Sequence, residues 1–189
     1  MAPTKNEEAS SRRISLRLAS ASDNEFLIRV YASTRREEMA SWGWDLGQQA
    51  SFVRMQFDAR HRGYEATYPS AENSVVSVDD TPVGSIIVFR GSNEIRIVDV
   101  ALLPEFRGRG IGEELIGMLI SEGARSGSAL RLNVLRGNPA AHLYERLGFI
   151  AKGGDALYCE MEWVPTQVQV RGAAVSTSLE KDPNAGKSK

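Results

Sequence analysis

The chain has one cysteine, Cys159, so no disulfide can form within it. Cys159 lies in "ALYCEMEW", an alternating stretch that reads as a strand, where a thiol packs as a small apolar group. Histidine is almost as scarce. His61 and His142 have no cysteine partner near them in sequence, and no metal site is expected. Neither sign of charge prevails: 23 basic and 24 acidic residues leave a net charge of −1. That excludes the broad basic field that nucleic acid needs, and no nucleic-acid partner is expected. No apolar run approaches the ~18 residues of a membrane span, so no membrane partner is expected either. The opening "MAPTKNEEASSRR" mixes charge and serine without an apolar core. It does not read as a secretory signal, and a cytoplasmic location is the simplest reading.

What is present suffices for one globular domain. The chain has 189 residues, 42% of them hydrophobic and 25% charged. Residues 1–12 read as a disordered N-terminal segment, 13–165 as the domain, and 166–189 as a polar C-terminal tail. Within the tail, "TQVQV" could add an edge strand.

Periodicity orders the domain. "ISLRLAS" alternates as a first strand. Asp23 is placed to cap a helix carrying Phe26, Leu27, Val30, Tyr31 and Thr34 on one face. "SWGWDLG" breaks that helix. A second, from about Gln48 to Tyr64, carries Phe52, Val53, Gln56, Phe57 and Arg60. "NSVVSV", the turn "DDTP" and "VGSIIVF" form a hairpin, and "IRIVDVALL" a third strand beside it. A helix from Gly110 to about Ser126 buries Ile111, Leu115, Met118 and Leu119. "ALRLNV" is another strand. Asn138 and Pro139 open a last helix that Gly148 stops. "GFIAK" and "ALYCEMEWV" close as a hairpin. The order is β-α-α-β-β-β-α-β-α-β-β: an α+β fold with a mixed, mostly antiparallel sheet flanked by helices.

One short stretch stands out. "RGRGIG", Arg107 to Gly112, joins the end of an apolar strand to a helix start. A helix N-terminus offers unpaired N–H groups, glycines let a ligand approach the backbone, and two arginines add charge. This is the physics of a phosphate cradle. The dinucleotide fingerprint fails, because it needs glycine where Glu113 stands, and no Gly-Lys pair makes a P-loop. A plain strand–helix connection with solvated arginines is the competing reading.

Arg107-Gly108-Arg109-Gly110-Ile111-Gly112 fits R/Q-x-x-G-x-G/A, and "NPAAHLYERLGF" follows about thirty residues on. Together they resemble the GNAT superfamily of N-acetyltransferases over residues 73 to 163. The resemblance implies a GNAT-like fold and acetyl-CoA as acetyl donor. It implies that the backbone of Arg107, Gly108, Arg109, Gly110, Ile111 and Gly112 meets the pyrophosphate. It also implies that the pantetheine arm pairs with the strand edge at Val100, Ala101 and Leu102, with Asn138 opposite. Tyr144 falls where many members hold a tyrosine near the thioester sulfur. The implied reaction is acetyl transfer to a primary amine of a small molecule or protein. A non-catalytic acyl-CoA-binding sensor or interaction module would share the same cradle. A homodimer is compatible with the resemblance.

Transfer to an amine needs a base, since a lysine-like amine at neutral pH costs roughly 4 kcal/mol to deprotonate. Asp99 is the candidate, a lone carboxylate in "IVDVALL". The alternative is a strand aspartate paired with Arg96 or Arg131. Glu94 and Glu145 are weaker candidates. Tyr144 can return a proton to the departing thiolate, or it can be a core tyrosine. His142 is expected to face solvent. His61 borders the acceptor side that the resemblance implies. Trp42, Trp44, Phe57 and Tyr64 are candidates for the acceptor pocket, with core packing expected for at least two of them.

Overall fold

The structure, a computed structural model, describes residues 12–165. The expected disordered segment, apart from Arg12, and the expected tail with "TQVQV" lie outside the described residues. The elements run β1 (Ile14–Leu18), α1 (Asn24–Ala40), α2 (Leu46–Thr67), β2 (Glu72–Val78), β3 (Thr81–Arg90) and β4 (Glu94–Leu102). They continue as α3 (Ile111–Ser126), β5 (Ala129–Leu135), α4 (Ala140–Arg146), β6 (Ile150–Gly154) and β7 (Tyr158–Trp163). This is the order that periodicity gives. No described helix is long and apolar enough to cross a membrane.

The strands form one sheet in the order β1-β2-β3-β4-β5-β7-β6, antiparallel throughout except for the parallel pair β4–β5. Alternation divides its side chains between two cores. Val76, Ile86, Val88, Ile95, Ile97 and Leu132 pack with Leu115, Ile116 and Leu119 of α3. On the other face Val75 packs with Leu27 and Tyr31 of α1 and Val53 and Phe57 of α2. Each helix buries one stripe and the sheet is covered on both sides, as a layered α+β domain requires.

Local chemistry sets the helix ends. Asp45 accepts from the Gln48 amide at 2.9 Å, and the Gln48 side chain accepts from the Asp45 amide at 3.1 Å. This reciprocal cap starts α2 earlier than its apolar periodicity indicates. Asp23 does not accept from an α1 amide. Its carboxylate turns back to the Ser20 amide at 2.8 Å and to Arg17 at 2.6 Å, because a single 3-10 turn over Ala21–Asp23 precedes the helix. In α3 the buried residue is Ile116, whereas Met118 is exposed; the helix meets the sheet along 111-115-116-119.

Candidate functional site

The parallel pairing of β4 with β5 runs only from Glu94–Ala129 to Ile97–Leu132. Beyond it the strands part. Asp99 to Leu102 keep their partners on β3 and Asn133 to Leu135 keep theirs on β7, so among the described residues each strand has one edge free of strand partners. Between these edges opens a cleft of about 1630 Å³. Val100, Ala101, Leu102, Asp99, Asn138 and Tyr144 all line it.

A β-bulge aims Asp99. The register passes from Val88↔Ile97 to Ile87↔Asp99, so β4 carries one extra residue, Val98. With unbroken alternation Asp99 would share the face of Ile95 and Ile97, against α3. The extra residue turns it to the face of Ile87, beneath α1 and α2. There its partner is Arg60 of α2, with Nη2 at 2.6 Å from Oδ1. The alternative of a paired strand aspartate had named Arg96 or Arg131, and neither is the partner. Arg96 lies instead with Glu94 and Glu160, and Arg131 with Glu94 and Glu162. Burial pushes the Asp99 carboxyl above the ordinary carboxylate range, while the Arg60 and His61 charges oppose that rise.

The loop is built as its glycines require. Gly108 and Gly110 have φ of 69° and 78°, and a Cβ on Gly110 would lie 2.9 Å from Arg12 Nη2. Among the described residues, the amides of Gly108, Arg109 and Gly110 donate to no backbone carbonyl. Those of Ile111, Gly112 and Glu113 open α3 and have no intrahelical acceptor. Gly108, Gly110, Gly112 and Glu113 line the cleft, so unpaired donors meet it at a helix N-terminus.

The arginines serve differently. Arg107 lines the cleft but is tied back, its Nε donating to the Leu102 carbonyl at 2.8 Å and its Nη2 to Ser33 at 3.2 Å. Arg109 is absent from the cleft lining; its guanidinium lies over the Phe106 ring at 5.7 Å. The Ile111 side chain is buried in the α3 core, which leaves its amide as the group at the loop. Arg12, which composition had assigned to a disordered segment, donates to the Arg109 carbonyl and pairs with Glu114, closing the loop from outside.

Just before α4, Asn138 faces the cleft while its Oδ1 accepts from the Ala140 amide at 2.9 Å. Tyr144 is 5% exposed, and burial with the nearby Asp99 charge pushes its hydroxyl up to about 12. Glu94 is held in the arginine pairs of the sheet. Glu145 sits in an exposed pair with His142, itself 78% exposed, at 3.3 Å.

Aromatic side chains line much of the rest of the cleft, among polar ones. Tyr31, Tyr64, Tyr68, Tyr144 and Tyr158, all five tyrosines of the chain, line it, as do Phe57 and His61. His61 bonds the Phe57 carbonyl at 3.1 Å and meets Asn73 at 3.3 Å. Of the four aromatic candidates, Phe57 and Tyr64 reach the cleft. Trp42 and Trp44 cluster with Phe52 elsewhere, at ring separations of 4.8 to 5.3 Å.

Arg60 lines the cleft beside Asp99, whereas the sequence placed it on the face of the second helix without a role. It continues the stripe Val53-Phe57-Arg60-Tyr64, spaced four, three and four residues apart, which places a cation among apolar and aromatic neighbours. That anomaly was the available signal.

Residues 69–151 match the family model described as an acetyltransferase (GNAT) domain. That stretch is similar to the GNAT superfamily. The GNAT fold extends beyond the matched residues. The PaiA N-acetyltransferase of Thermoplasma acidophilum, solved with coenzyme A, superposes with a TM-score of 0.61 at 22% identity, over 80% of this chain and 99% of that one. An acetyltransferase from Thermus thermophilus gives 0.59 at 20% identity, over 80% and 96%. YncA of Salmonella typhimurium, solved with acetyl-CoA, gives 0.52 at 19% identity, over 85% and 98%. No curated protein matches at a significant level. The loop and the parted strands both lie in the stretch that the family model spans.

Proposed function

We propose that the chain transfers the acetyl group of acetyl-CoA to a primary amine in the cleft between β4 and β5. One observation carries this reading: a run of unpaired amides at a helix N-terminus lies at the end of a free strand edge. The amides suit a pyrophosphate, and the free edge at Val100 to Leu102 suits the amide-bearing arm behind it. A helix N-terminus contributes only ~0.3–2 kcal/mol. Micromolar affinity needs about 8 kcal/mol. Loop amides, strand edge and Asn138 must therefore act together.

In the reaction the amine nitrogen bonds to the thioester carbonyl carbon and the C–S bond breaks. Asp99, directly or through water, takes the proton that the amine gives up. Tyr144 donates its proton to the departing thiolate and regains one from solvent. The reading of Asp99 as base rests on its site: a carboxylate turned into the cleft and raised by burial retains a proton better than a surface one. The tyrosines that line the same cleft suit an acceptor that presents apolar or aromatic surface beside its amine.

The test is thiol release from acetyl-CoA across a panel of alkyl and arylalkyl amines, with the product identified by mass spectrometry. The proposal expects acetylated product from at least one class. Tight acetyl-CoA binding with no product from any amine would favour the binding module instead.

A further inference from the structure

Arg60 is costly to keep where it is. It lies half-buried on the stripe of α2 that carries Val53 and Phe57, where a guanidinium loses part of its hydration and needs partners. Among the described residues, its partners Asp99, Tyr64 and Tyr31 all line the cleft. Nη2 meets Asp99 Oδ1 at 2.6 Å and Nε bonds the Tyr64 hydroxyl. Its guanidinium carbon sits 5.6 Å from the Tyr31 ring centre and 5.3 Å from that of Tyr64, between two aromatic faces. Three elements thus fix one cation against one carboxylate: α1 through Tyr31, α2 through Tyr64, and β4 through Asp99.

We propose that Arg60 is a positioning residue for acetyl transfer, the built-in counter-charge that keeps Asp99 ionised and aimed into the cleft. This rests on Asp99 as the base. Asp99 faces Arg60, His61 and Tyr64 from α2 and Tyr144 from α4, and its β3 neighbour Ile87 is apolar. Of these, Arg60 bears the permanent charge. Burial works in the opposite direction, toward the protonated acid, which cannot accept a proton. The arginine therefore decides whether a carboxyl in this place works as a base at neutral pH. The two residues are 39 positions apart, and the β4 bulge and the α2 stripe each place one of them.

The test follows the Asp99 carboxyl directly by carbon-13 NMR titration of the full chain, beside the pH profile of kcat/KM. In Arg60→Met the Asp99 midpoint and the acid limb of the profile should both move up by about one to three pH units. Activity lost at neutral pH should return on the alkaline side. Arg60→Lys should retain part of the effect. Tyr64→Phe, which frees Nε while leaving both charges, should give a smaller upward shift and carries the test if the methionine variant does not fold. An unmoved Asp99 midpoint in these folded variants would overturn the proposal, as would a rate lowered equally at every pH. Full activity in Asp99→Asn would instead reject Asp99 as the base, leaving the Arg60-dependent midpoint to stand by itself.

Discussion

The Nε–H of Arg107 donates to the carbonyl of Leu102 at 2.8 Å, strapping the glycine loop to the end of β4. Its Nη2 extends the strap to Ser33 of α1 at 3.2 Å. Arg109, two residues on, rests over Phe106 outside the cleft lining. The two arginines should therefore respond unequally to truncation. Arg107→Ala should weaken acetyl-CoA binding about tenfold to a hundredfold, the range for losing a charged hydrogen bond of roughly 1.5–3 kcal/mol. Arg109→Ala should stay within a few-fold. Isothermal titration checks both; equal losses would show that the strap has no special role.

Gly110 holds a left-handed φ of 78° and crowds Arg12 on its Cβ side. Gly110→Val should abolish acetyl-CoA binding, since the branched side chain disfavours that conformation and pushes against the guanidinium that closes the loop. The core does not depend on this exposed residue, so circular dichroism should still report a folded protein. A folded variant with unchanged affinity would remove the cradle from the proposed site.

Much of this was legible in the chain. The order of eleven elements followed from periodicity, because the sheet is covered on both faces and the helices bury single stripes. The loop was legible because its glycines and arginines concentrate in six adjacent residues. The Arg60–Asp99 pair was not. Each residue showed locally as a charge in apolar surroundings, but the bulge at Val98 that turns Asp99 toward α2 has no local signature, and Arg96 and Arg131 were nearer in strand pairing. Arg12 was missed because its charged, serine-rich neighbourhood hides one long-range anchor. Trp42 and Trp44 were candidates for the wrong cavity, since aromatic character says nothing about which hollow a ring fills.

Asp23 gives a stability prediction with a defined sign. Arg17 and the Ser20 amide and hydroxyl hold its carboxyl well below the ordinary carboxylate range. A depressed folded value means the interaction stabilises above the unfolded value, near ~3.9, and is lost as pH falls through the folded one. Asp23→Asn should therefore lower the urea midpoint at pH 7, and its deficit against the parent should shrink in strong acid. A deficit independent of pH would assign Asp23 to packing alone.

Tyr144→Phe keeps the ring and removes the hydroxyl. Acetyl-CoA KM should stay within a few-fold while kcat falls near a hundredfold, the lower end for a positioned acid. Because burial pushes the hydroxyl up to about 12, the parent should show no alkaline limb from Tyr144 below roughly pH 11. Full turnover in the phenylalanine variant would leave Tyr144 as a core side chain, and a large loss of affinity would make it a binding residue.

Amide chemical shifts on adding acetyl-CoA to the full chain test the central claim most directly. The largest changes should fall on Gly108 to Glu113, where donors stand unpaired, and on Val100 to Leu102 along the free edge of β4. Changes concentrated elsewhere, or none at saturating acetyl-CoA, would contradict it.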